Sequence, residues 1–199
     1  MTLAGMVQVQ SAILSHIQMG GLCADSPSVV VQDLSFVGQR LGMRIAGIAG
    51  LDVLSSRNFT IDYRKRKIFF GRSAATKKSV HFERRAPFLT VKAKIDGREL
   101  QLLVDSGTPG ILIYGKRLET GSERRYFDNT LVETAAGTSQ SVWFFASSVW
   151  LGNENLGQQA VVIADAEPLA DDFDGLLGLV NLGFRRVAFD FENGLLGWN

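Results

Sequence analysis

Apolar and polar residues alternate with a period of two along much of this chain, in short stretches that read as strands. Residues 88–95 alternate in this way, Asp96-Gly97 forms a two-residue hairpin turn, and residues 99–104 return as the partner strand. Residues 59–63 alternate too, and Ile68-Phe69-Phe70 answers them across a charged tip, Arg64-Lys65-Arg66-Lys67. Further strands are expected over residues 7–18, 28–33, 160–164, 173–179, 187–191 and 195–198. Residues 130–146 read as a hairpin turning near Ala136-Gly137-Thr138. Residues 53–57 are expected as a short helix and residues 166–172 as a loop or helical turn. The pattern predicts a mostly β chain with closed or sandwiched sheets.

The pattern also repeats. Gly47-Ile48-Ala49-Gly50-Leu51 aligns with Gly175-Leu176-Leu177-Gly178-Leu179 at an offset of 128 residues, without a gap. The same offset pairs Leu54 with Leu182, Arg57 with Arg185, Asp62 with Asp190, Tyr63 with Phe191 and Ile68 with Leu196. Upstream, Ile17-Gln18-Met19-Gly20 resembles Val149-Trp150-Leu151-Gly152 at an offset near 132. Two copies predict two similar lobes rather than a solenoid, which needs about three units or more. The copies are unequal. Residues 1–71 read as the back half of a lobe, residues 72–85 as a polar, basic linker, and residues 86–199 as a whole lobe.

Composition narrows the function classes. At 46% hydrophobic and 21% charged residues the chain is of ordinary globular type, and a net charge of +1 argues against a general polyanion binder. The basic tip at residues 64–67 has no aromatic platform or broad basic face beside it, so it reads as a solvated turn and not as a nucleic-acid site. Cys23 is the single cysteine, so no internal disulfide can form. Residues 1–21 lack the basic start and apolar run of a signal peptide, and no run reaches the roughly 18 apolar residues of a transmembrane helix. The chain as it stands is expected in the cytoplasm, and outside it if the true start lies upstream.

Candidate chemistry is sparse. Ser106 lacks the glycine that a nucleophile elbow places two residues earlier, and neither His16 nor His81 sits in a catalytic context. Asp165, Asp171, Asp172 and Asp174 crowd one loop without the spacing of a calcium site, and no phosphate-cradling glycine loop is present. No metal or cofactor is expected. What remains is Leu102-Leu103-Val104-Asp105-Ser106-Gly107-Thr108. Here a carboxylate stands where an apolar strand ends in a tight turn, and a second apolar run, Ile111-Leu112-Ile113-Tyr114, follows. Such a turn keeps its Asp partly buried, the setting in which carboxylates acquire useful chemistry.

Asp105-Ser106-Gly107, followed later by the apolar-apolar-glycine run Leu176-Leu177-Gly178, resembles one lobe of an aspartic peptidase. The fuller resemblance is to the retropepsin-like and pepsin-like families, in particular to bacterial two-lobe members. Residues 175–198 and 47–70 are similar to the closing strands of such lobes. The resemblance implies aspartic-protease-like closed β-barrel lobes, one complete and one partial. It implies an endopeptidase acting on a peptide or protein substrate through a water activated by a carboxylate dyad. Asp105 would be one catalytic member. The Ser106 hydroxyl would help lock paired loops together, Gly107 would leave room for close backbone approach, and Thr108 would complete the supporting loop. The hairpin at Ala136, Gly137 and Thr138 would be the flap over the substrate.

The chain departs from that pattern in having one Asp turn where a dyad needs two. Either it is a piece of a two-lobe enzyme missing the first half lobe, or two copies pair as a homodimer, or it is a catalytically incomplete peptide-binding or assembly module. A half lobe with uncovered apolar strand edges is also expected to self-associate.

Overall fold

The computed structural model describes residues 9–71, 75–85, 87–117, 129–134, 137–164 and 173–199. Strands dominate it. In the first copy, β1 (Gln10–Ile13) pairs antiparallel with β4 (Ser28–Val31), and β2 (His16–Met19) with β3 (Leu22–Asp25). The expected strand over residues 7–18 is thus two strands. The break at Leu14-Ser15 is closed by Leu14 N–H donating to the Pro27 carbonyl and Ser26 N–H donating to the Ser15 carbonyl, both at 3.1 Å. A helix not anticipated from the pattern, α1 (Ser35–Leu41), follows, with the Asp33 carboxylate accepting from the Ser35 amide and hydroxyl at its start. The short helix expected at 53–57 sits slightly earlier, as α2 (Leu51–Leu54). The hairpin of β5 (Phe59–Asp62) and β6 (Lys67–Phe70) ends this copy.

Residues 78–85 are not linker but strand β7 (Lys78–Arg85). Their charges disguise an alternation in which Val80 and Phe82 are buried while Ser79, His81 and Glu83 are exposed. Then come β8 (Phe88–Ile95), β9 (Arg98–Val104), β10 (Ile111–Tyr114), β11 (Asn129–Thr134), β12 (Gly137–Leu151), β13 (Glu154–Ala164), β14 (Gly175–Leu177), β15 (Arg186–Asp190) and β16 (Leu195–Trp198). The acidic-rich loop at 165–172 and residue 136 lie outside the described residues. No helix among the described residues is long and apolar enough to cross a membrane.

One ring of strands closes on itself: β8, β9, β14, β10, β13, β12 and back to β8. Side chains such as Leu102, Ile111, Phe144, Val149, Val161 and Leu177 fill it, each 2% exposed or less. Closure removes free edges, so the barrel is stable as a unit. Outside the ring, β7, β16, β15, β5 and β6 continue as one sheet, joining the two copies.

The register of that junction carries a local two-fold symmetry. β5 and β15 pair antiparallel as Phe59↔Phe189, Thr60↔Ala188, Ile61↔Val187 and Asp62↔Arg186. Shifted by the 128-residue offset, Thr60↔Ala188 maps onto itself, and Phe59↔Phe189 maps onto Val187↔Ile61. Side chains obey the same symmetry. Two nitrogens of Arg186 donate to Asp62 Oδ2 at 3.0 and 3.3 Å, and Asn58 Nδ2 donates to Asp190 Oδ1 at 3.2 Å. The Lys65 amide donates to Asp62, and the Asn193 amide to Asp190. Phe59 stacks on Phe189 with centroids 4.5 Å apart, adding apolar contact at the junction.

These hydrogen bonds favour the ionised carboxylates. The Lys65 amide, then Arg186, holds the Asp62 carboxyl below its ordinary value. The Asn193 side chain, then its amide, does the same for Asp190. A carboxyl depressed by folding stabilises the fold above its unfolded value and loses that stabilisation as the pH falls through the folded value. The urea midpoint should therefore fall on acidification from about pH 5 to about pH 2. The double variant Asp62→Asn, Asp190→Asn should show a lower midpoint near neutrality and a flatter acid limb. An unchanged acid limb would mean that these carboxylates do not set the acid stability.

Candidate active site

Asp105 is the first residue beyond β9, and two neighbours fix its position. β14 runs parallel to β9, pairing Leu177 with Val104, and antiparallel to β10, pairing Leu177 with Ile111. The Asp105 amide donates to the Leu177 carbonyl at 3.0 Å. Further along, the Gly178 amide donates to the Gly110 carbonyl at 2.8 Å and the Asn181 amide to the Pro109 carbonyl at 2.7 Å. Both ends of the 105–110 turn are therefore tied to the strand that passes behind it.

That approach is possible only because the passing strand lacks side chains at two places. A Cβ on Gly178 would lie 1.9 Å from the Thr108 carbonyl oxygen and 2.6 Å from that of Gly110. A Cβ on Gly175 would lie 2.1 Å from the Leu112 carbonyl oxygen. These atoms belong to backbone in a buried barrel, so they have no room to retreat.

The turn organises the carboxylate internally. The Gly107 amide donates to Asp105 Oδ1 and the Thr108 hydroxyl to Oδ2, both at 2.8 Å, and the Thr108 amide donates to the Asp105 carbonyl at 3.2 Å. Asp105 is half-buried, while Ser106 and Gly107 are exposed. The carboxylate thus has one oxygen on a backbone amide and the other on a hydroxyl, with its flank reachable by solvent. The Ser106 hydroxyl makes no hydrogen bond among the described residues. The side chain that grips the carboxylate is Thr108, three residues on. No second carboxylate contacts Asp105 among the described residues.

The other candidates lie elsewhere. Gly137 and Thr138 begin β12, opposite Thr134 and Glu133 of β11, so the described part of this segment is one end of a hairpin; Ala136 lies outside the described residues. Asp174 is tied into the barrel, its Oδ2 accepting from the Gln101 amide at 2.8 Å. His16 sits 2.6 Å from Asp25 across an exposed hairpin, and Cys23 is free and exposed. No group of metal-ligating side chains occurs among the described residues. The backbone clamps at Gly110, Pro109 and Asn181 escaped the sequence reading, because carbonyl and amide partners leave no residue-type signal.

The aspartyl protease family model matches residues 91–180, a little under half of the chain and most of this barrel. The matched stretch contains the Asp105 turn and the crossing strand β14. Among solved structures it is similar to a retropepsin-like aspartic protease from Rickettsia conorii, at 18% identity and TM-score 0.42 over 62% of this chain and 98% of that one. It is also similar to an aspartic proteinase from Irpex lacteus, at 19% identity and TM-score 0.44 over 51% of this chain and 31% of that one. No curated protein matches the sequence.

Adding a methyl group at the clamp tests this arrangement. Gly178→Ala should cost about 3 kcal/mol or more, because the contact is with backbone on both sides. Thermal unfolding measures it. A stability near that of the parent would mean that the crossing strand stands farther from the Asp turn than described here.

Proposed function

We propose that the chain supplies one catalytic half of an aspartic-type endopeptidase, with Asp105 as a member of a carboxylate dyad. The observation that carries this reading is the Asp105 turn: a half-buried carboxylate, held on both oxygens and open on one flank, at the mouth of a barrel of the aspartyl protease family. Two carboxylates a few ångströms apart cannot both ionise, so they share a proton. The ionised member takes a proton from a water held between them as that water attacks the peptide carbonyl. The protonated member donates its hydrogen bond to the carbonyl oxygen and stabilises the charge that develops there.

In this reading Thr108 and Gly107 keep the Asp105 carboxylate pointing outward, and Ser106 faces the incoming partner turn, where its hydroxyl can bond across. The hairpin containing Ala136, Gly137 and Thr138 would cover a bound peptide in extended form and exclude water. The second carboxylate has to come from beyond the contacts that Asp105 makes here.

A second reading is a peptide-binding or assembly module that keeps the fold without the chemistry. It is favoured by the fact that both oxygens of Asp105 are occupied by groups of its own turn.

Cleavage of a peptide library between about pH 3 and pH 7, the range in which coupled carboxylates titrate, separates the two. The expected result is a bell-shaped pH profile, lost by at least about a thousandfold in Asp105→Asn, whose amide can neither take the proton from water nor share one. Cleavage that survives the substitution would exclude Asp105 from catalysis. Peptide binding without cleavage, in the presence of a completing partner, would favour the module.

A further inference from the structure

The junction of β5 and β15 contains its own control, because its two sides share one structure and differ in residues. Asp62↔Lys67 closes the turn after β5 as Asp190↔Leu195 closes the turn after β15, so the two turns are of equal length. They are also held alike, by the Lys65 amide on Asp62 Oδ1 at 2.9 Å and the Asn193 amide on Asp190 Oδ1 at 3.0 Å. Their tips are not alike. After β15 the tip is Glu192-Asn193-Gly194, with Gly194 at φ 66°. After β5 it is Arg64-Lys65-Arg66, and Arg66 takes φ 53° at the matching place. That conformation suits glycine and is costly for a residue with a Cβ. The turn therefore has no need of these cations, and one of them sits in it under strain.

Tertiary structure adds two more. The Tyr63 amide donates to the Arg185 carbonyl at 3.1 Å, the Arg185 amide to the Asn199 carbonyl at 2.9 Å, and the Asn199 amide to the Arg186 carbonyl at 3.2 Å. Arg185 and Arg186 thus stand against the tip, around an open cavity of about 430 Å³ lined by Asp62, Arg64, Lys65, Arg185, Arg186 and Asn199. Four of these side chains are cationic and one is a carboxylate. At the 128-residue offset the matching positions are Asp190, Glu192, Asn193, Arg57, Asn58 and Gly71, with one cation and two carboxylates. The scaffold is two-fold symmetric and its charge is not. Asp62 is taken up by Arg186, at 3.0 and 3.3 Å. Arg64, Lys65 and Arg185 are exposed, and their side chains make no ion pair among the described residues.

We propose that this cavity is a docking site for an acidic segment, a run of Asp or Glu side chains, on another protein. The cavity already displays the recognition it offers, since the Asp62 carboxylate is held there by a guanidinium fork and a backbone amide. Two further guanidinium and ammonium groups of the same kind, on Arg185 and Lys65, and a third on Arg64 stand without a carboxylate of this chain. Arginine pairs with carboxylates through parallel N–H donors, which gives such a contact direction as well as charge. No aromatic side chain lines the cavity, so it offers bases nothing to stack on, and this favours peptide carboxylates over a nucleic acid. The proposal goes beyond the peptidase reading and uses none of the chemistry assigned to Asp105.

The test uses the full chain and a fluorescein-labelled hexaglutamate peptide, with binding followed by fluorescence anisotropy. The expected result is one peptide per chain at about 20 mM salt, with affinity falling steeply toward about 300 mM as exposed charges are screened. A variant combining Arg64→Glu, Lys65→Asn and Arg66→Gly gives the tip the sequence it has after β15. It should melt at or above the parent temperature, since glycine suits the φ of that position, and should bind the peptide at least about tenfold more weakly, the combined effect of a few exposed ion pairs. Arg185→Gln, outside the tip, should weaken binding severalfold with an unchanged melting temperature. Asp105→Asn should bind as the parent does, which separates this docking from the peptidase reading. Absence of binding at low salt, equal binding by the parent and both cavity variants, or tighter binding of a deoxythymidylate hexanucleotide than of hexaglutamate would each overturn the proposal.

Discussion

The position of Asp105 depends on a strand that passes behind it at backbone contact. Hydrogen bonds from Asp105 to the Leu177 carbonyl and from Gly178 to the Gly110 carbonyl fix the two ends of the turn. That closeness is available only to glycine, as the 1.9 Å clearance at Gly178 shows. A carboxylate on an unsupported turn would sample many directions, and dyad chemistry needs the reacting groups held to within fractions of an ångström. The barrel supplies the rigidity, and the missing side chains supply the approach. The Asp105 turn and the crossing glycine are thus one structural device made of two distant pieces of sequence.

The second constraint is the β5–β15 ladder. Its register makes the sheet joining the two copies locally two-fold symmetric, down to Arg186 on Asp62 and Asn58 on Asp190. A dyad of like carboxylates is most easily built by such symmetry, because each lobe then presents the same turn to the axis from opposite sides. Asp62 and Asp190 are repeat mates, and both serve the junction. Their partners are the amides of Lys65 and Asn193, with Arg186 and Asn58 reaching across the junction.

Much of this was legible in the chain. The alternation of residues 88–95 and 99–104 around Asp96-Gly97 gave the hairpin that delivers Asp105, and the repeated glycine run marked the strand that clamps it. Three features were not legible. Strand β7 was hidden because six of its eight residues are polar or charged and only Val80 and Phe82 carry the alternation. Helix α1 was missed because its start is set by the Asp33 side chain and not by an apolar stripe. The role of Thr108 as the grip on Asp105 depends on how tightly the turn curls, which brings a hydroxyl three residues away to 2.8 Å. Long-range pairing and turn curvature are tertiary facts, and residue types alone do not encode them.

The same symmetry explains why the incomplete copy folds onto the complete one at all. An isolated hairpin such as β5–β6 is marginal in water, since it covers neither face nor edge. Here Phe59 stacks on Phe189 and also approaches Phe70 and Phe191, so the hairpin borrows its apolar partners from the complete lobe. Strands β1 to β4 lie outside that sheet: Leu22 of β3 is 1% exposed, while Ile13, Val30 and Val31 remain more than half exposed.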